Sequence, residues 1–261
     1  MKKKRLKIWW FKKKYVNLSC DLFILNLILH RNIMARHIRT LTVYFDTEIN
    51  YREIPLFRGV VLHCLGDSGN LLFHNHTGAS TFRYAYPLIQ YKRLNGKAAI
   101  TGIEQGADII GQFAANAPEV ITVGERKASC KVERMQPARL LMQTWNHPFS
   151  YHLVRWLPLN AKNYLIYKET EEVDARRELL ESILKGNLLS MLKGLGIHIE
   201  DELMVSITQL DEPYIVYNKG VALMAFNAMF SSNLSIPDNL GVGKNASIGY
   251  GVVYRERKKE K

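Results

Sequence analysis

The chain has few cysteines, and none of them is placed for a covalent or metal-linked framework. Its 261 residues include three cysteines, Cys20, Cys64 and Cys130, which are widely spaced and form no Cys-x-x-Cys pair. Disulfide-stabilised modules and cysteine zinc sites both depend on closely placed cysteines. The sequence therefore argues against both kinds of framework and predicts a protein of the reducing cytoplasm.

Long hydrophobic runs are missing as well. The longest candidate, Leu22–Leu29, is interrupted by Asn26, whereas a membrane-spanning helix needs about 20 apolar residues. No small-residue cleavage site follows this stretch, so it does not fit a signal peptide. We therefore expect no membrane partner, although an anchor built from residues 1–33 stays open as an alternative.

Acidic residues are too few to balance the basic ones, but the imbalance lies mostly at the ends of the chain. The net charge is +12, of which residues 1–33 contribute +8 and residues 255–261 contribute +3. Only local clustering can therefore indicate nucleic-acid binding by the remaining body. One such cluster contains Arg126, Lys127, Lys131, Arg134 and Arg139.

The two ends are interpreted separately from the body. We interpret residues 1–33 as a non-native or disordered basic extension, translated upstream of a start at Met34. A basic surface helix is the alternative for this segment. Residues 256–261 are interpreted as a charged tail.

Two common nucleotide-binding motifs are also missing. A P-loop would need glycine at position 238 and Ser or Thr at position 245, which hold Asp238 and Asn245. Gly241, Gly243 and Ala246 have the spacing of a dinucleotide fingerprint, but too little chain follows for a βαβ unit. The sequence therefore predicts neither ATP nor NAD binding, and no cofactor.

What the chain does have is a regular glycine pattern near its carboxyl end. The segment reads Gly241-Val-Gly243-Lys-Asn-Ala-Ser-Ile-Gly249-Tyr-Gly251 and runs into the strand-like Val252–Tyr254. Glycines permit positive φ and a close approach of the backbone to a ligand, and successive N–H groups can bind phosphate. A glycine-rich turn before an edge strand is the alternative interpretation.

Periodicity predicts a ferredoxin-like order, βαββαβ, in the first half of the chain. Alternation and β-branched residues indicate the strands, and the dipeptide Asn95-Gly96 is a strong hairpin signal. The predicted elements are strand His37–Ile49, helix Tyr51–Leu65, strands Phe82–Leu94 and Lys97–Ile103, helix Gly106–Ala117 and strand Glu119–Val123.

The pattern recurs more loosely after a basic connector. The predicted elements are strand Tyr151–Pro158, amphipathic helix Asp174–Leu195, strand Leu203–Leu210, an ambiguous apolar segment Tyr217–Phe230, and a closing segment Ser247–Arg255. The sequence thus predicts an α+β protein with tandem ferredoxin-like domains, similar to RNA recognition motifs, over residues 36–140 and 145–255.

His74 and His76 form the clearest candidate for chemistry. In extended chain, residues two apart project to the same side, so both imidazoles can face one phosphate. Cutting RNA without a metal needs a base for the 2′-OH proton and an acid for the departing 5′ oxygen. Histidine suits both roles because its pKa of about 6.5 leaves both forms populated near neutrality. Ordinary loop histidines are the alternative, and no nearby Cys, Asp or Glu completes a metal site.

Basic and aromatic residues interleave around the predicted hairpin. Lys92, Arg93 and Lys97 flank the Asn95-Gly96 turn. The interleaved aromatic residues are Tyr84, Tyr86 and Tyr91. Such a mixture suits phosphate contacts and base stacking in RNA. Arg83 and Lys92 are candidates for stabilising the charge that develops at the phosphate, while alternation requires some of the tyrosines to face the core.

The glycine pattern resembles the glycine-rich loop of the RAMP superfamily, the RNA-binding proteins of CRISPR systems. His74-Asn-His76 and the segment Phe82–Arg93 are similar to the branch of precursor CRISPR RNA endoribonucleases found with type I-B systems. The resemblance implies that His76 and His74 are catalytic. It also implies RNA contacts by the glycine-rich loop, that is by Gly241, Gly243, Lys244, Gly249 and Gly251. The basic residues beside the aromatic ones, Arg83, Lys92, Arg93 and Lys97, complete the predicted set of RNA contacts.

The implied reaction is metal-independent cleavage of precursor CRISPR RNA at its repeat, giving a 2′,3′-cyclic phosphate and a 5′-hydroxyl. The implied partner is CRISPR repeat RNA, and the resemblance also allows CRISPR effector-complex subunits and a homodimer. The main alternative is a non-catalytic RAMP-type subunit that binds guide RNA. A pure binder has no need of the histidine pair, which separates the two hypotheses.

Overall fold

A computed structural model of the chain describes residues 36–65, 76–77, 81–82 and 86–257. The interpretation of residues 1–33 falls outside this part of the chain. His74, Arg83 and Tyr84 lie outside it too. For residues 76–77 and 81–82 only the backbone is described.

The first half forms a four-stranded antiparallel sheet with two helices on one face. Its elements are β1 (Arg36–Glu48), α1 (Ile54–Leu65), β2 (His76–Thr77), β3 (Thr81–Phe82), β4 (Ile89–Leu94), β5 (Lys97–Ile103), α2 (Gln105–Ala115), β6 (Val120–Val123), β7 (Arg126–Ser129) and β8 (Val132–Met142). The strand order β4-β5-β1-β8 is that of a ferredoxin-like fold. The predicted fold class is therefore confirmed for this domain.

Local signals explain α1 and the hairpin. A 3-10 turn, Tyr51–Glu53, precedes α1, and the Asn50 and Glu53 side chains form a capping box around it. Asn95 and Gly96 have φ of 50° and 86°, the left-handed values that a tight hairpin between β4 and β5 requires. Phe57 of α1 and Phe113 of α2 both pack on Phe45 of β1, which joins the two helices to the sheet.

Two predicted strands of this domain are present, but one lies outside the main sheet and the other is shorter than predicted. The fourth strand of the sheet is β8, whereas the predicted strand Glu119–Val123 corresponds to β6, which among the described residues pairs with β7. The charged residues of β8, Glu133, Arg134 and Arg139, and its Pro137 interrupt the apolar alternation that marks a strand. The predicted strand Phe82–Leu94 is also shorter, because β4 begins at Ile89, two residues after Pro87.

The second half repeats the strand order. Its elements are β9 (Thr144–Trp156), α3 (Ala161–Glu169), α4 (Val173–Gly194), β10 (Val205–Leu210), β11 (Tyr214–Asn218), β12 (Val221–Leu234), β13 (Leu240–Gly241) and β14 (Val252–Arg255). The sheet has the strand order β10-β12-β9-β14-β13, and β11 pairs with residues 221–225 at the amino-terminal end of β12. Leu180, Leu184 and Leu188 of α4 are fully buried in the core against this sheet.

The structure resolves the ambiguous segment and adds a helix. Tyr217–Phe230 is a hairpin of β11 and β12 that turns at Lys219 and Gly220, both with positive φ. α3 was not predicted, and Asn160 caps its start by accepting a hydrogen bond from the Asn163 amide. The glycine-rich segment and a short 3-10 helix, Ala246–Ile248, stand where a ferredoxin-like domain carries its second helix.

The glycine-rich segment joins the two domains. The Gly241 amide donates to the Gln90 side-chain oxygen on β4 at 2.8 Å, and the Tyr86 hydroxyl donates to the Gly241 carbonyl at 2.8 Å. A Cβ on Gly249 would lie 2.6 Å from Ile54 at the start of α1. The missing side chain thus lets the second domain approach the first one closely.

Among the described residues, no helix combines the length and the apolar character that crossing a membrane requires.

Gly251 supplies a test of the packing within the glycine-rich segment itself. It has φ of +62°, and a Cβ there would overlap the Val242 carbonyl oxygen. We expect Gly251→Ala to lower the free energy of unfolding by about 2–4 kcal/mol, from backbone strain and overlap together. Gly186→Ala is the matched control, because Gly186 lies within α4 with nothing within 4 Å of its Cβ position. That change should stabilise by about 0.5–1 kcal/mol. Equal denaturation midpoints for the two variants would contradict the packing role.

Candidate functional site

The predicted catalytic segment lies between α1 and β4. His76 begins β2, and its backbone pairs with Phe82 of β3, so the segment contains a small hairpin. His74 lies outside the described residues, and the His76 side chain is not described. The assignment of both histidines as catalytic residues therefore stays a prediction.

A cleft of about 650 Å³ lies between the two domains. It is lined by four arginines and one aspartate, which makes it strongly positive. Its lining residues include the arginines Arg93, Arg134, Arg255 and Arg257, the tyrosines Tyr44, Tyr51 and Tyr254, and Asp238.

Guanidinium groups in the cleft lie on tyrosine rings. Arg134 lies 4.0 Å from the centre of the Tyr44 ring, and Arg93 lies 5.0 Å from that of Tyr51. Stacking of this kind holds the side chain in place while leaving the N–H edge of the guanidinium to bind an anion. The cleft therefore presents fixed cations rather than freely moving ones.

Arg155 extends this arrangement across the domain boundary. Its guanidinium lies 3.9 Å from the Tyr51 ring centre and 4.8 Å from that of Tyr250. Its backbone has φ of +54°, an unfavourable value for arginine, and the Asn227 side chain accepts a hydrogen bond from its amide. The buried Nε of Arg155 has no hydrogen-bond partner among the described residues.

Asp238 is already engaged within the protein. Its carboxylate accepts hydrogen bonds from the Arg255 amide at 2.7 Å and from the Arg257 guanidinium at 2.9 Å. Asp238 therefore pairs with one cation, Arg257, fixes the backbone at Arg255, and leaves the cleft with an excess of positive charge.

A second cavity, of about 720 Å³, lies between α1 and the β11–β12 hairpin. Arg52, Arg58 and Lys219 supply its basic groups, and Tyr51 lines both this cavity and the interdomain cleft. Tyr51 therefore forms part of the wall between the two cavities. The second cavity lies on the side of α1, the helix that precedes the His74–His76 segment.

The predicted glycine site has a structural role that sequence reasoning only partly anticipated. Gly241, Gly249 and Gly251 are buried, and Gly243 is half-buried. A Cβ on Gly243 would lie 2.5 Å from the Asn187 side-chain oxygen, which also accepts the Trp156 indole N–H. Lys244 is the exposed residue of the predicted set in this segment. Packing thus explains these glycines, and their contact with RNA stays a prediction.

The Lys92 side chain is inaccessible to RNA in this structure. Its side chain is fully buried and donates to the Gln90 side-chain oxygen at 2.7 Å. Burial lowers the pKa of Lys92 to about 7. Tyr91 is likewise in the core, where its ring packs on Phe57. The expectation that Lys92 stabilises charge at the phosphate is corrected, since β4 packs against the glycine-rich segment on this side.

The other predicted basic residues lie in different surroundings. Arg93 lines the cleft, and its Nε donates to the Ile49 carbonyl at 2.7 Å. Lys97 instead forms an ion pair with Glu133 on β8. Arg134 and Arg139 of the predicted basic cluster line interdomain cavities, while Arg126 pairs with Glu53.

Sequence reasoning missed Arg155, Tyr44, Tyr51 and Tyr254. Arg155 is an isolated cation in an apolar strand, and nothing local marks it. Tyr44 and Tyr254 stand in strands, where alternation predicts a side but not what that side faces. Within residues 36–65 and 86–257, no group of three or more His, Cys, Asp or Glu side chains could hold a metal ion.

Two sequence models of one protein family match the chain. The model of the Cas6b N-terminal domain matches residues 36–140, and that of the Cas6b C-terminal domain matches residues 143–256. An uncharacterised protein of Methanocaldococcus jannaschii is 43% identical over 100 residues, which are 38% of this chain and 67% of the relative.

Solved structures are similar over most of the chain. A crystal structure of Cas6b has a TM-score of 0.77 and 29% identity, covering 85% of this chain and 100% of that one. A crystal structure of a CRISPR RNA processing endoribonuclease, also Cas6b, has a TM-score of 0.65 and 26% identity with the same coverage. A type IV Cas6 CRISPR RNA endonuclease shares the fold, with a TM-score of 0.51 and 12% identity over 85% and 100% of the two chains.

Lys92→Met tests the corrected placement. Burial lowers the pKa of Lys92 to about 7 in the folded chain, against an ordinary lysine pKa of 10.5 in the unfolded chain. Between these values the unfolded chain binds more protons, so the wild-type free energy of unfolding rises with pH by up to about 1.4 kcal/mol per unit. We therefore expect Lys92→Met to be the more stable protein at pH 7, and its advantage to shrink towards pH 10. Denaturant titrations across this range measure the difference, with exposed Lys127→Met as the control. A variant less stable than wild type at pH 7 would contradict the burial of Lys92.

Proposed function

Since the chain belongs to the Cas6b family, of which one solved member is a CRISPR RNA processing endoribonuclease, we propose that it cuts precursor CRISPR RNA within the repeat by metal-independent transesterification. The observation that carries this proposal is the match of both family domains to nearly all of residues 36–256, with the His74–His76 pair inside the first domain. CRISPR repeat RNA is the proposed substrate.

The proposed reaction breaks one phosphodiester bond and forms another. One histidine of the pair removes the proton of the 2′-OH, and the resulting oxygen attacks the adjacent phosphorus. The P–O5′ bond then breaks, and the second histidine gives its proton to the departing 5′ oxygen. The products are a 2′,3′-cyclic phosphate and a 5′-hydroxyl. The attacking and departing oxygens both belong to the RNA, so no water is consumed.

The interdomain cleft supports RNA as the substrate. Four arginines and three tyrosines line it, against one aspartate that is already hydrogen-bonded to two of the arginines. Guanidinium N–H groups suit phosphate oxygens, and tyrosine rings suit bases. Single-stranded RNA offers both groups at every nucleotide.

Histidine substitutions test the chemistry. We expect His76→Ala to lower the single-turnover cleavage rate by roughly 10²–10⁴, because it removes one general acid or base. His74→Ala should have a similar or smaller effect. RNA affinity, measured by anisotropy, should barely change for either variant. Near-normal cleavage by the double alanine variant would move the active site elsewhere, and a wild-type protein that binds repeat RNA without cutting it would favour the non-catalytic alternative.

The substrate and the metal requirement provide a second test of the same reaction. Cleavage should persist in excess EDTA, because the two imidazoles perform both proton transfers. It should stop when the nucleotide 5′ to the cut carries a 2′-deoxy sugar, because that sugar lacks the nucleophile. An RNA with the deoxy sugar one nucleotide further upstream is the control and should be cut normally. Cutting of the first deoxy substrate would refute attack by the 2′-OH.

Arg134→Gln tests the role of the cleft. We expect weaker binding of repeat RNA and a log–log salt slope that is smaller by about 0.7, the loss of one phosphate contact on a single strand. Arg177→Gln is the matched control, because Arg177 lies on α4 and pairs with Asp174 away from the cleft. Equal affinities and slopes for the two variants would show that RNA does not bind in the cleft.

A further inference from the structure

Two aromatic residues stand side by side on the face of the second sheet that lines the cleft. In the antiparallel pair of β9 and β14, Tyr254 is opposite His152, and Val252 is opposite Val154. Val154, Val252 and Tyr254 line the interdomain cleft. Because side chains two residues apart share one face of a sheet, His152 and Tyr254 project from that same face.

The two rings form a parallel stack. Their centres are 4.9 Å apart and their planes differ by 17°. Tyr254 is 40% exposed, an unusual state for a large ring inside a cleft. His152 therefore supports one side of the tyrosine ring and holds it upright on the sheet, while much of the ring remains accessible.

Tyr254 differs from the other two tyrosines of the cleft. A guanidinium lies on the Tyr44 ring, and two guanidiniums, those of Arg93 and Arg155, lie on the Tyr51 ring. Within the part of the chain that the structure describes, the ring stacked on Tyr254 is an imidazole instead. Tyr254 therefore offers aromatic surface to a ligand where the other two rings hold cations.

Cations line the same cleft as this exposed ring. Arg255, the next residue of β14, projects from the opposite face of the sheet, where its guanidinium lies 4.2 Å from the centre of the Phe149 ring. Arg257 is tied to Asp238 and lines the same cleft. An aromatic ring beside positioned cations is the combination that binds single-stranded nucleic acid, where bases stack and phosphates are neutralised.

We propose that Tyr254 is a base-stacking residue that binds an unpaired nucleotide of single-stranded RNA in the cleft, supported by His152 and with Arg257 at an adjoining phosphate. The inference rests on the proposed entry of RNA into this cleft and names the nucleotide class that the site takes. Every base has a π-face, so this subsite accepts any unpaired base and excludes a base-paired one.

The experiment compares Tyr254→Leu with Tyr254→Phe. The probe is a fluorescein-labelled oligoadenylate of about 15 nucleotides, within the length that a single-strand groove binds. Leucine removes the aromatic face, so Tyr254→Leu should weaken binding by roughly tenfold to a hundredfold. Phenylalanine keeps the ring, so Tyr254→Phe should bind as wild type does. Equal melting temperatures of the two variants show that the fold is intact.

Abasic probes locate the stacked nucleotide. A set of oligoadenylates, each lacking one base, is measured against wild type and Tyr254→Leu. At one position, removing the base should weaken binding to wild type by the same factor as Tyr254→Leu weakens binding of the intact probe. When Tyr254→Leu is measured with that abasic probe, the two losses of affinity should not add. Additive losses at every position, or equal binding by the Leu and Phe variants, would overturn the stacking role. So would binding of a polyglutamate peptide, but not of oligoadenylate, to the wild-type cleft.

This result is separable from that for the nuclease. A chain that cuts repeat RNA but shows no difference between Leu and Phe loses the stacking role and keeps the nuclease. A chain that shows the difference without cutting repeat RNA keeps the stacking role and loses the nuclease.

Discussion

The Gln90 side chain is the point on which the arrangement of the two domains depends. Its oxygen accepts one hydrogen bond from Lys92 Nζ and one from the Gly241 amide, and its nitrogen donates to the Pro87 carbonyl. The residue is fully buried, so each of these polar groups needs its partner to avoid a large desolvation cost. One amide thereby fixes β4 of the first domain to the glycine-rich segment of the second. The geometry of the cleft follows from that junction, because the cleft is the space between the two joined sheets.

The cleft shows how a protein can hold several cations close together without filling the space with acids. Arginines placed on tyrosine rings gain cation–π attraction, which partly replaces the carboxylate that an isolated guanidinium would need. Arg93 and Arg155 even share the Tyr51 ring across the domain boundary. The N–H edge of a guanidinium stacked in this way can still donate hydrogen bonds to the phosphates of a ligand. The stacking also makes the shape of the cleft depend on aromatic packing.

Strong local signals predicted much of the fold. The Asn95-Gly96 turn, the amphipathic α4 and the strand β1 were all evident, because each depends on neighbours in the chain. β8 was missed because most of its side chains are exposed and show no apolar alternation, so backbone pairing with β1 holds it rather than burial. Lys92 was misplaced for a related reason. A lysine beside an arginine in a strand predicts a solvated face, and only the approach of the second domain buries it.

Because the glycines serve internal packing, evolution can retain them independently of RNA cleavage. Gly249 is required where the two domains meet in this way, and Gly251 is required where the glycine-rich segment packs on itself at Val242, whether or not the protein cuts RNA. A lineage that lost cleavage would still be under selection to retain them, while its histidines would be free to drift. The glycine pattern in a newly sequenced genome therefore marks the paired architecture, and the histidines are the positions at which to look for the enzyme.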